Sequence, residues 1–141
     1  MSVSIMNWAR RILAGHTDED VSDSVQLAGL SIGEALQSHS AWIQRFEEAL
    51  KDKGSQQIDA AQVSHDDRCV LGKWLYAQDT QDRFKRSPDF IVLCETHSAF
   101  HRNASLVISA LRLGDEQEAQ LLLDMVKAKS RQIRVSLAKL C

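Results

Sequence analysis

The stretch "SPDFIVLCETHSAFHRNASLVISALRLG", residues 87–114, decides the fold. Phe90, Leu93, Cys94, Phe100, Ala104, Val107, Ile108 and Leu111 recur every three or four positions, the period of one helix face. Ser87 stands at the N-cap and Pro88 at the first helical position, where its missing N–H costs nothing; Gly114 follows as a stop. His97 and His101 fall inside the apolar stripe. Two imidazoles four residues apart leave the same face of a helix one turn apart, so this helix is expected to turn both into its own core.

The same period runs through most of the remaining chain. "SIMNWARRIL" carries Ile5, Trp8, Ile12 and Leu13 on one side of a short helix that meets Gly15, and an acidic linker follows. A long helix is expected from about Ser22 to Lys53, with Val25, Ala28, Ile32, Ala35, Leu36, Trp42, Ile43, Phe46, Ala49 and Leu50 along its stripe and Gly54 at its end. His39 fills the one stripe position left between Leu36 and Trp42. In "SHDDRCVLGKWLYAQ", Ser64 and Asp67 have the spacing of a capping box, and about three helical turns would carry Cys69, Gly72 and Trp74 or Leu75 inward. A last helix runs from about Asp115 to Leu140. Three long helices and a shorter one predict an all-α antiparallel four-helix bundle, with residues 1–21 as an N-terminal helix and linker and 22–141 as the bundle.

Composition narrows the function classes. With 141 residues, 44% of them apolar, the chain can bury one sizeable core. Its 17 basic and 19 acidic residues are interspersed, so no basic patch argues for nucleic acid. No apolar run approaches the ~18–20 residues that span a bilayer, and Arg10 and Arg11 interrupt the N-terminal apolar stretch, unlike a secretory signal. Three scattered cysteines, Cys69, Cys94 and Cys141, do not form a disulfide framework and point to a reducing cytoplasm.

A single core-facing histidine is most often just hydrogen-bonded to a neighbour. Here His39, His97 and His101 take core positions on two helices, and Cys69 lies on the core side of a third. Burying each group without a partner is costly; one shared metal satisfies all four. Zinc takes imidazole nitrogen and thiolate sulfur in tetrahedral four-coordination. Cys94, one turn before His97, competes as a ligand or is a small core residue, whereas His16 and His65 sit in polar segments and read as solvated.

His39, "CVLGKW" at 69–74 and "HSAFH" at 97–101 together resemble the signature of the chemoreceptor zinc-binding (CZB) family of bacterial signalling domains: a lone histidine, a Cys-x-Leu-Gly-x-Trp element and a His-x-x-Phe-His element, in that order. The resemblance covers about residues 22–140. It implies that His39, Cys69, His97 and His101 bind Zn2+, and that the chain forms a homodimer. Gly72 would allow close helix approach, with Trp74 and Phe100 packing beside the metal. Family members usually occur fused to chemoreceptors or diguanylate cyclases, and in some the ligand cysteine responds to oxidants such as hypochlorous acid, which would make Cys69 redox-reactive. This sequence shows no coiled-coil signalling tail and no cyclase segment, so output is expected through such a signalling protein in trans. The expected function is a cytoplasmic zinc or redox sensory module of chemotaxis or cyclic-di-GMP signalling, with no membrane insertion. The alternative is a zinc-stapled dimerisation scaffold. An enzyme is disfavoured, because four protein ligands close the open position that catalytic zinc keeps.

Overall fold

A computed structural model describes residues 3–16, 25–52 and 58–141. Seven helices occur among them: α1 (Val3–Leu13), α2 (Ile32–Lys51), α3 (Ala60–Ser64), α4 (Val70–Tyr76), α5 (Gln78–Phe84), α6 (Pro88–Arg112) and α7 (Glu116–Lys139). A small antiparallel hairpin, β1 (Gln26–Leu27) and β2 (Leu30–Ser31), precedes α2. The chain is mostly helical, as its periodicity predicts.

α6 and α7 form the central hairpin and pack along each other. The Ser87 hydroxyl accepts from the Phe90 N–H at 3.3 Å and starts α6 where expected. Gly114 ends it, and the Asp115 carboxylate, accepting from the Glu118 N–H at 3.0 Å, starts α7 at once. So short a connection leaves the two helices antiparallel. α2 packs on both, α1 lies along α7, and α3 covers part of α6. Phe46, Leu71, Leu93, Phe100, Ile133 and Leu137 fill the space between them with no more than 1% exposure.

Two boundaries differ from the sequence reading. α2 begins at Ile32, about two turns before His39, rather than near Ser22. Ala28 and Gly29, with φ of 48° and 88°, make the two-residue loop that right-twisted hairpins favour, and Gly29 reaches that conformation without strain. Val25, Leu27 and Leu30 then bury from the hairpin segment ahead of α2 instead of from a helix face, and Ile32 from the first position of the helix. Ser31 accepts from the Glu34 N–H at 3.3 Å, so the true cap is the Ser31-x-x-Glu34 pattern. Residues 22–24 and 53–54 of the expected helix lie outside the described residues.

The second difference concerns Ser64. It ends α3 rather than starting a helix, and its hydroxyl donates to the Ala61 carbonyl at 2.8 Å. The helix carrying "VLGKW" starts at Val70 and runs only seven residues, with Cys69 as its N-cap. The thiol sulfur takes the place a serine oxygen would have, accepting from the Gly72 N–H at 3.2 Å.

Candidate metal centre

Three elements bring four donors together. His39 comes from the middle of α2, Cys69 from the cap of α4, and His97 and His101 from successive turns of α6. One donor atom from each lies within 4.8 Å of all the others. Cys69 Sγ is 3.2 Å from His97 Nε2 and 3.5 Å from His101 Nε2, and the two imidazole nitrogens are 3.1 Å apart. A tetrahedral zinc with ligand bonds of ~2.0–2.3 Å sets its donors about 3.3–3.6 Å apart, so these three spacings fit one small ion.

Hydrogen bonding points the same way. The Val63 carbonyl can only accept, so His101 donates to it through Nδ1 at 2.8 Å and keeps an unprotonated Nε2 facing Cys69 and His97. A backbone acceptor behind a histidine is the usual way a metal ligand is oriented. Neither ring nitrogen of His39 has a hydrogen-bond partner, nor has Nδ1 of His97, although both side chains are fully buried. Orphaned buried nitrogens call for a partner, and a cation at the centre would supply one to a lone pair of His39, while Nδ1 of His97 lies on the side of its ring away from the Nε2 that faces Cys69 and His101.

Electrostatics keep the imidazoles in the ligating form. Burial lowers the pKa of His39 well below the ordinary value, helped by His97 and His101. Burial, and then His101, brings His97 down to about 3. His101 is also lowered by burial, although its bond to Val63 opposes the shift. The Cys69 thiol is pushed up by burial, against the backbone N–H groups at the start of α4. A cation would reverse that balance, because coordinated sulfur is thiolate.

Gly72, Trp74 and Phe100 support the centre differently. A Cβ on Gly72 would collide with the Asp66 carbonyl, so glycine lets the 66–67 turn lie flat on α4 just behind Cys69. Phe100 is sealed in the core with its ring 4.4 Å from that of His39 and 5.3 Å from that of His101. Trp74 packs with Phe84 and Phe90, and its indole N–H donates to the Ala28 carbonyl at 3.0 Å, tying α4 to the hairpin. Cys94 is half-buried outside the cluster, and His16, His65 and Cys141 are exposed. Sequence reasoning missed Val63, whose contribution is a backbone carbonyl that its side chain does not announce.

Residues 39–108, which begin at His39 and include Cys69, His97 and His101, match the family described as the chemoreceptor zinc-binding domain. The matched segment belongs to that family. No curated protein and no solved structure matched the chain. The CZB family binds zinc, and the three-imidazole, one-sulfur donor set is compatible with it. No helix among the described residues is long and apolar enough to cross a membrane.

Proposed function

We propose that the chain is a zinc-binding sensory module of bacterial signalling, working in the cytoplasm, in which His39, Cys69, His97 and His101 hold the metal. The observation that carries this reading is the convergence of four donors, three of them buried imidazoles, within 4.8 Å. Bound zinc would hold the Cys69 sulfur as thiolate and join α2, α4 and α6 at one point. The packing of α2, α6 and α7 on one another supports a helical frame for such a module.

Cys69 is the part of the centre suited to sensing. The three histidines are at most 2% exposed, whereas Cys69 is only partly buried, at the cap of a seven-residue helix. An oxidant reaches this donor first. Hypochlorous acid would deliver its hydroxyl group to the thiolate, and its chlorine would leave as chloride with the electron pair. The sulfenic acid is a poorer ligand, so α4 loses its tether to α6. The changed surface would then be read by a chemoreceptor or diguanylate cyclase type partner in trans.

The depth of the three histidines favours a second reading, a structural zinc staple without sensing. Zinc release separates the two. With one zinc per chain, a stoichiometric dose of hypochlorous acid should release it from the native protein and leave it in place in Cys69→Ser that still binds the metal. Zinc retained by the oxidised native protein would leave the staple.

A further inference from the structure

We propose that the cleft walled by α1, α2 and α7 binds a small organic carboxylate with an apolar body, at a site separate from the metal centre. The cleft holds about 510 Å³, within the ~300–1,000 Å³ of sites that take small molecules. One residue accounts for it. Ala119, Leu122, Val126, Ile133 and Leu137 bury along the inner face of α7 at steps of three, four, seven and four. The step of seven passes over position 130, where the helical period calls for a large apolar side chain. The chain has Ser130 there, half-buried on the cleft wall. Protein interiors are close-packed, so a hydroxymethyl group in that place leaves room between α2 and α7.

The walls select the ligand. Ile12 from α1, Ile43 from α2 and Val135 from α7 line the cleft with apolar surface. Lys127, Arg131 and Arg134 follow at successive turns of α7 on the same cleft. One carboxylate faces them, Glu47, whose oxygen lies 3.8 Å from the Lys127 ammonium. Arg131 is exposed and has no ion pair among the described residues. The whole chain carries a formal charge of −2, so this positive wall is a local feature, and such a wall draws anions. A guanidinium grips a carboxylate through two parallel N–H bonds. A bare anion would leave the isoleucines wet, and a neutral hydrocarbon would leave Arg131 unpaired. A carboxylate joined to a hydrocarbon body satisfies both.

The α1 side of the cleft is held by a defined turn. Gly15, with φ of 92°, closes α1 by donating its N–H to the Ile12 carbonyl at 3.0 Å, and the His16 N–H reaches back to the Arg11 carbonyl at 2.9 Å. That pair of bonds is the Schellman stop, and it fixes Gly15 and His16 at the cleft. None of the four zinc donors lines this cleft, and α1 and α7 lie outside the matched segment. The site therefore stands apart from the zinc reading.

The test is calorimetric titration of the full-length, zinc-loaded chain with octanoate. One saturable site per chain is expected, with a Kd below about 1 mM. Octanamide, equal in length but uncharged, should bind at least about tenfold more weakly, as should octanoate to Arg131→Gln. Ser130→Leu, which fills the cleft from within, should abolish binding while helicity and zinc content stay native. Arg131 is a surface residue, so its variant decides the matter even where Ser130→Leu fails to fold. No binding to the native chain at concentrations well above that Kd overturns the proposal. So does octanoate bound equally by Arg131→Gln or by folded Ser130→Leu, or octanamide bound as tightly as octanoate. Full displacement of octanoate by equimolar inorganic phosphate also overturns it, because that would mark a simple anion site.

Discussion

At the residue scale the centre rests on groups that the fold buries at a cost. His39, His97 and His101 stay neutral in the folded chain because their pKa values are lowered, His97 to about 3. In the unfolded chain they titrate near the ordinary ~6.5. Below that pH the unfolded chain takes up protons that the folded chain refuses, so stability is lost as the pH falls from about 6.5 toward the folded values. Each histidine steepens the loss by up to ~1.4 kcal/mol per pH unit. Urea midpoints of the chelator-treated protein should therefore drop between pH 7.5 and 5.5; equal midpoints would contradict the burial of neutral imidazoles. Gly72 gives a second residue-level expectation. The added methyl of Gly72→Ala would meet backbone rather than a movable side chain, and should cost at least ~1–3 kcal/mol in thermal or urea unfolding. A neutral effect would mean that the 66–67 turn does not lie against α4.

At the element scale, what was legible in the sequence was whatever carries a period. The stripe of α6 put His97 and His101 in the core, and Ser87, Pro88 and Gly114 bounded the helix correctly. His39 fell on a stripe in the same way, although its helix begins ten residues later than expected. That error came from Val25 and Ala28, which match a helical period, although Val25 is buried just ahead of the hairpin and Ala28 sits exposed in its loop. The Ala28–Gly29 loop and the Ser31-x-x-Glu34 cap were the signals that outweighed the stripe. Cys69 was harder to place, because a sulfur acting as an N-cap has no residue-type signature. Ser31→Ala should cost about 1 kcal/mol by removing the cap of α2, whereas Ser64→Ala, which touches only the end of α3, should leave urea stability almost unchanged. Equal losses would return the helix start to its expected place. Trp74→Phe should cost a further ~1 kcal/mol through the lost bond to Ala28.

At the scale of the whole molecule, three elements distant in sequence meet at one cluster, so the metal and the fold should stand or fall together. A centre that joins α2, α4 and α6 makes metal binding part of folding free energy. Removing zinc with a chelator should lower the unfolding midpoint, and returning one equivalent should restore it. The ligand assignment is tested most directly by metal content. Elemental analysis of the purified chain should give one zinc per chain, with a clear loss in Cys69→Ala and in His97→Ala and none in His65→Ala. Full zinc in both ligand variants, or no zinc in the native protein, would contradict the centre.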